Sequence, residues 1–328
     1  MNAAQRSTIQ TVGDMQDSGA LGRSLSCRAR EWLGNREDRD REFEVDGWRL
    51  RVRRYGSLLA MPDLLFEKRA GVAWITLNRP QAKNALSPEA FCRLADAWTE
   101  FRDDPDLRVA VLTGAGGEAF TSGGDLKLLL PLWTGARKPE NDWDRRLLAD
   151  PGLSFVALLK TLELWKPIIA AVNGAALAGG CEVMLACDIR LAVPHARFGL
   201  TEVQRGLVPG GGSMVRLPRQ MPWARAMELL LTGDPISAAE AARLGLISRV
   251  VEPDQLLEEA EKVARRLARN APLSLEAIKR TALQTSGVPL ADAFQLEVQN
   301  AARVMQSEDA REGPRAFAEK REPVWKGR

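Results

Sequence analysis

The sequence predicts an α/β fold with mainly parallel strand pairing, and three observations predict it. Apolar strand-like segments alternate with helix-like segments through the middle of the chain. Several of the strands run directly into Gly-rich turns that open helices. From about residue 254 onward the pattern is helical and charged, with apolar residues at i, i+3 and i+4. The 328 residues are 45% hydrophobic and 27% charged, enough for one large domain or two smaller ones.

Residues 1–60 differ from the rest. They carry a mixed-charge run, "REDRDREFEVDGWRLRVRR", and only short apolar patches, so they read as a mostly disordered or weakly structured extension. Asp14 and Asp17 speak against a transit peptide. Met61 opens "MPDLLFEKRAGVAWITLNRP", where ordered-looking sequence begins, and it reads as the functional start. This divides the chain into an extension (1–60), a core (61–253) and a helical C-terminal region (254–328) that packs on the core or on a neighbouring subunit.

Within the core, "GVAWITLNRP" is a strand stopped by Pro80. "SPEAFCRLADAWTEFRDDP" is an amphipathic helix with Ser87 as N-cap and Pro88 at its first position. "LRVAVLTGAGG", "KPIIAAVNGAALAGG" and "IRLAVPHARFG" read as three more strands, and "CEVMLACD" opens a helix. "PWARAMELLLTGDPISAAEAARLGLISRVVEP" gives helix, turn and helix. Residues 128–160 are irregular. They form either a cover over a pocket or an ordinary surface loop, with Trp133 and Trp143 lining the pocket or packing.

Composition removes several functions. The 46 basic and 43 acidic residues nearly balance, so nothing favours nucleic acid as a partner. No apolar run has the length of a membrane span. The four cysteines (Cys27, Cys92, Cys181, Cys187) form no CxxC pair. They suit a reduced, cytoplasmic setting and argue against structural zinc. The single histidine, His195 in "VPHARFG", reads as a surface-loop residue and excludes His-clustered metal sites, so no metal is expected. Proton chemistry in this chain would rest on carboxylates.

Two glycine pairs precede acids. Gly114, Gly116 and Ala119 fit a dinucleotide fingerprint formally, but "EAFTSGGD" follows where a helix should open. Gly123-Gly124 before Asp125 and Gly179-Gly180 before Glu182 read instead as tight turns that expose backbone amides. Two such amides on one oxygen make an oxyanion hole, worth roughly a hundredfold in rate per donor. Glu182 sits among apolar residues, where a glutamate belongs only if it is paired or working. Glu202, in "RFGLTEVQRGLVPGGG", is either a helix N-terminal acid or its partner. Two carboxylates sharing a dry pocket have their pKa values pushed apart, so that one donates and the other accepts.

The segments "GGEAFTSGGDLK", "KPIIAAVNGAALAGGCEVMLACDIRLA", "ARFGLTEVQRGLVPGGGSMVRL" and "LTGDPISAAEAARLGLISRVV" together resemble the enoyl-CoA hydratase/isomerase (crotonase) family. The similarity spans about residues 62–328. It implies a spiral of repeated ββα units, with a helical C-terminal region that builds homotrimers or dimers of trimers. It implies an acyl-CoA thioester substrate, with coenzyme A part of that substrate and no separate cofactor.

Carried over by motif, the oxyanion amides belong to Gly124 and Gly179. Glu182 activates water, Glu202 positions it and protonates C2, and the Gly210 backbone helps hold the water. CoA contacts fall on Ala85 and Lys127, and from a neighbouring subunit on Phe317 and Lys320. Retention of both glutamates points to hydration of trans-2-enoyl-CoA. Isomerisation or thioester hydrolysis on the same enolate chemistry is the alternative, followed by a non-catalytic member of the family. Two departures bear on where Glu202 sits: Ala178 replaces a glycine common in the hydratase turn, and Thr201 stands where proline is usual.

Overall fold

The computed structural model describes residues 61–328 together with two strands upstream, β1 (Asp40–Val45) and β2 (Trp48–Arg53). These two pair antiparallel, with Val45 opposite Trp48. The intervening Asp46-Gly47 is a dipeptide that strongly favours a two-residue hairpin loop. The remainder of the expectation for residues 1–60 lies outside the described residues.

From Pro62 the chain forms one compact unit built on two sheets. Its strands are β3 (Leu64–Arg69), β4 (Val72–Leu77), β5 (Val109–Gly114), β6 (Ala119–Thr121), β7 (Ile168–Val172), β8 (Ala175–Leu177), β9 (Ile189–Ala192), β10 (Arg197–Gly199), β11 (Ile236–Ser237) and β12 (Arg249–Val250). The larger sheet has the order β12-β9-β7-β5-β4-β3 and the smaller β11-β10-β8-β6. Only β3/β4 and β10/β11 pair antiparallel in this unit. Consecutive strands from β5 to β10 alternate between the sheets, which is the spiral of ββα repeats.

That alternation corrects the sequence reading at two places. "KPIIAAVNGAALAGG" and "IRLAVPHARFG" are each two strands, one per sheet. The first bend falls at Asn173-Gly174. Asn173 Oδ1 accepts the Gly114 N–H at 3.1 Å, and its amide donates to the Gly114 and Gly116 carbonyls at 2.8 and 2.7 Å. A Cβ on Gly174 would stand 2.3 Å from the Glu118 carbonyl oxygen, so only glycine allows the approach. The second bend holds His195, which is exposed, with Nε2 2.9 Å from the Gly117 carbonyl oxygen.

Twelve helices complete the described unit. They are α1 (Pro88–Asp103), α2 (Leu129–Trp133), α3 (Asp142–Ala149), α4 (Leu153–Ala157), α5 (Gly179–Leu185), α6 (Ser213–Gln220), α7 (Trp223–Thr232), α8 (Ala238–Arg243), α9 (Leu256–Ala268), α10 (Pro272–Gln284), α11 (Leu290–Met305) and α12 (Asp309–Ala318). Ser87 caps α1 as its position predicts, accepting the Ala90 N–H at 3.1 Å. α1 buries Phe91, Leu94, Trp98 and Phe101 in the core. Trp98 is fully buried and its Nε1–H donates to the Ala157 carbonyl at 3.0 Å. Removing a side chain of that size from water contributes about 4–6 kcal/mol.

Residues 128–160 are three short helices rather than a plain loop. A part-buried pair ties the first two: Arg137 donates to both Asp144 oxygens at 2.6 and 3.0 Å and to the Leu128 carbonyl at 3.0 Å. Trp143 packs against the core, with the Arg93 guanidinium 4.9 Å from its ring. Trp133 is half exposed beside Phe91.

Candidate active site

The first glycine turn is pinned from both sides. The Gly123 carbonyl accepts the Leu86 N–H at 2.8 Å, and the Asp125 N–H donates to the Leu86 carbonyl at 2.9 Å. With both neighbours turned toward Leu86, the Gly124 N–H points the other way. The Asp125 carboxylate accepts the Lys127 and Leu128 N–H groups at 3.2 and 3.3 Å and an Arg79 N–H at 3.0 Å, which locks the turn. Gly123 has φ +91°, a conformation that L side chains rarely adopt.

The second turn passes from β8 into α5. Gly179 is the first residue of α5, so its N–H has no acceptor within the helix. A Cβ on Gly123 would lie 2.9 Å from the Gly179 nitrogen, and one on Gly179 would lie 3.7 Å from the Gly124 nitrogen. The two turns therefore converge, and neither the Gly124 nor the Gly179 amide has a protein acceptor among the described residues. Gly180 lets α5 settle on β6, since a Cβ there would meet the Thr121 carbonyl oxygen at 2.5 Å. Ala178, which precedes the pair, is held at φ 50°. A non-glycine residue there stores strain of about 1–3 kcal/mol.

Glu182 follows on the first turn of α5 and is buried. Its Oε1 accepts the Ser213 N–H at 3.3 Å and the Ser213 hydroxyl at 2.9 Å. Burial pushes its pKa up, opposed by these bonds, by the Gly211 N–H and by the Arg216 cation. Glu202 lies in the 3-10 turn Thr201–Arg205. Its Oε2 is buried and has no hydrogen-bond partner among the described residues. Burial raises the Glu202 pKa to about 7, against a bond from its own backbone N–H and with the nearby Glu182 charge adding to the rise. The two carboxylates are thus neighbours in different environments: Glu182 accepts two donors from Ser213, while Glu202 Oε2 has none among the described residues.

Several residues of this shell were not singled out in the sequence. Gly211 abuts the Glu182 carboxylate so closely that a Cβ would sit 2.5 Å from Oε2. Gly210, the predicted position, instead accepts the Lys160 ammonium on its carbonyl at 2.9 Å. Arg216 donates to the carbonyls of Leu158, Leu159, Gly211 and Glu182, tying the end of α4, the Gly loop and α5 together. The signal available was "PGGGSMVRL" itself, where Ser213 and Arg216 interrupt an otherwise glycine and apolar run. The buried cysteines offer no rival nucleophile: burial pushes the Cys181 and Cys187 thiols up to about 12.

Of the expected CoA contacts, Lys127 is exposed directly after the first glycine turn. Ala85 is buried, with its carbonyl accepting from Arg79 at 2.8 Å. Phe317 and Lys320 are exposed, the first within α12 and the second just beyond it, and α12 packs on α11. A cavity of about 660 Å³ opens between residues 159–165, the C-terminal end of α5 and α10, and neither Glu182 nor Glu202 lines it. Among the described residues no cluster of His, Cys, Asp and Glu could hold a metal ion. No helix among them is long and apolar enough to cross a membrane.

Two glycine turns thus converge with their amides unbonded among the described residues, and Glu182 and Glu202 are neighbouring carboxylates with unlike partners. The family model described as Enoyl-CoA hydratase/isomerase matches residues 67–328. The chain is 45% identical over 267 residues to "Enoyl-CoA hydratase EchA19" of Mycobacterium tuberculosis, covering 81% of this chain and 97% of that protein. It is 43% identical to "(E)-benzylidenesuccinyl-CoA hydratase" of Thauera aromatica, covering 78% and 96%. Among solved structures, an enoyl-CoA hydratase from Mycobacterium tuberculosis H37Rv superposes with a TM-score of 0.73 at 40% identity. That match covers 82% of this chain and 100% of the other. The chain belongs to the enoyl-CoA hydratase/isomerase family, and it is an enzyme of the hydro-lyase type on the crotonase fold.

Proposed function

We propose that the protein adds water across the 2,3 double bond of a trans-2-enoyl-CoA to give the 3-hydroxyacyl-CoA. The observation that carries this reading is the split between the two carboxylates. Glu182 is assigned the base: its Oε1 accepts the N–H and the hydroxyl of Ser213, donors that favour the ionised form against the burial that raises its pKa. Glu202, with Oε2 unpartnered among the described residues and its pKa raised to about 7, is assigned the acid that holds a proton at neutral pH.

The thioester oxygen accepts the Gly124 and Gly179 N–H groups, which draws electron density from the C2=C3 bond. Glu182 takes a proton from water as the water oxygen bonds C3, and the displaced π electrons move onto the thioester oxygen. The enolate collapses as the Glu202 carboxyl delivers its proton to C2. Solvent then returns Glu182 and Glu202 to their starting states. The Gly210 backbone helps hold the water, beside a loop that Lys160 and Arg216 stiffen. Coenzyme A enters as part of the substrate, with Ala85 and Lys127 along its path, and no separate cofactor is needed.

Assembly belongs to the same reading. Ile278, Leu283, Phe294, Val298 and Met305 are exposed on α10 and α11, and α11 buries none of its residues within the chain. We assign this face to a homotrimer or dimer of trimers, with Phe317 and Lys320 reaching a neighbour's CoA.

The test is loss of the conjugated enoyl-thioester absorbance with crotonyl-CoA and with a longer trans-2-enoyl-CoA, with the product weighed by mass spectrometry. A gain of one water is the expected result. Tight binding of both thioesters with no hydration, or a product of unchanged mass, overturns it.

A further inference from the structure

The Gly loop brings a hydroxyl onto the catalytic base. Ser213 is fully buried at the N-terminus of α6, and its Oγ lies 2.9 Å from Glu182 Oε1. The same Oγ lies 3.3 Å from the Pro209 carbonyl oxygen, so the hydroxyl has two acceptors and one proton to give. Backbone donors to Glu182 come from Ser213 and Gly211, and neither depends on a hydroxyl side chain. Only a hydroxyl side chain supplies the third.

We propose that Ser213 is a positioning residue that tunes Glu182: its hydroxyl donates to the ionised carboxylate and turns to the Pro209 carbonyl when that carboxyl is protonated. In the first state Oε1 is anchored by two donors from one residue, which sets the plane of the carboxylate. In the second the freed Oγ lone pairs can accept from the protonated Glu182. Both halves of the proton cycle are then solvated by one rotor, with no water needed on that side.

The other groups around Glu182 do not substitute for it. Arg216 on α6 supplies positive charge, but its nitrogens donate to carbonyls, including that of Glu182 itself. Glu202 from the 3-10 turn contributes repulsion when ionised, and Cys181 on α5 stays a neutral thiol. Arg190 on β9 is engaged with the Cys187, Leu246 and Leu185 carbonyls. Burial raises the Glu182 pKa and the Ser213 bonds lower it, in accord with the geometry. The inference rests on the hydratase reading for what Glu182 does in turnover, but not for how Ser213 governs its ionisation.

The experiment is a carboxyl carbon-13 NMR titration of the full chain labelled at glutamate, with Glu182→Gln assigning the resonance. The same titration is run on Ser213→Ala and Ser213→Thr. Loss of one donor to a charged group raises the Glu182 midpoint by about one pH unit in Ser213→Ala, and threonine retains the wild-type value. The acid limb of kcat/KM for enoyl-CoA hydration moves up by the same amount. Turnover therefore drops about tenfold below the limb and recovers above it, with KM unchanged. A midpoint that does not move in Ser213→Ala, or a threonine variant that behaves like alanine, overturns the role of Ser213. Absence of hydration by the wild type overturns the hydratase reading instead and leaves the titration as the arbiter.

Discussion

Two regions of this molecule give the same side chain, glutamate, different surroundings. Glu182 projects from a regular helix, and the Gly loop gives its carboxylate donors from Ser213 and Gly211. Glu202 stands on a short 3-10 turn, with Oε2 buried and unpartnered. Donors favour the ionised form of a buried carboxyl and their absence favours the protonated one, which is the basis of the base and acid roles proposed for the two. The difference lies in the neighbours and not in the residue.

Removing either carboxyl breaks the comparison most severely. Glu182→Gln and Glu202→Gln are each expected to lower kcat by about 10²–10⁴-fold, with acyl-CoA affinity measured by calorimetry preserved. A fully active variant would remove its residue from the mechanism. Gly123→Ala comes next. It forces a Cβ to within 2.9 Å of the Gly179 nitrogen at a φ of +91° and so separates the two amides. The expected loss is about a hundredfold in kcat by steady-state kinetics.

The pH dependence sharpens the comparison. Glu202 must be protonated to donate, so kcat/KM is expected to fall as pH rises through about 7. Stability carries the same sign. Its pKa is raised on folding, so the folded state binds more protons than the unfolded one, and stability falls as pH rises from about 4.5 through about 7. Glu202→Gln should then melt a few degrees higher than the wild type at pH 8 and equally at pH 4, read by thermal denaturation. The smallest effect is at Ala178→Gly, which relieves the φ 50° residue at the cost of some unfolded-state entropy. A net gain of about 1 kcal/mol in denaturant unfolding is expected, with the site unchanged.

Much of this was legible in the chain. Alternating strand and helix patterns gave the class, Ser87 and Pro88 marked the start of α1, and the two glycine pairs marked the turns that carry the amides. Those are local features, set by backbone freedom and periodicity over a few residues. The pairing of β1 with β2 is not legible in charge composition, which dominates residues 36–54. The bends at Asn173-Gly174 and before Arg197 were read through as single strands. An apolar run does not record the sheet to which each half belongs.

By itself, then, the sequence determined the elements, the exposed glycine amides and the presence of two glutamates beside them. Only the tertiary structure decided that Gly123 meets Gly179, that Ser213 reaches Glu182 across 31 positions, and that Glu202 Oε2 is buried without a partner among the described residues. Those outcomes depend on which distant groups share a space from which water is excluded. Desolvation and hydrogen bonding, which set a carboxyl's proton affinity, exist only once that space is closed.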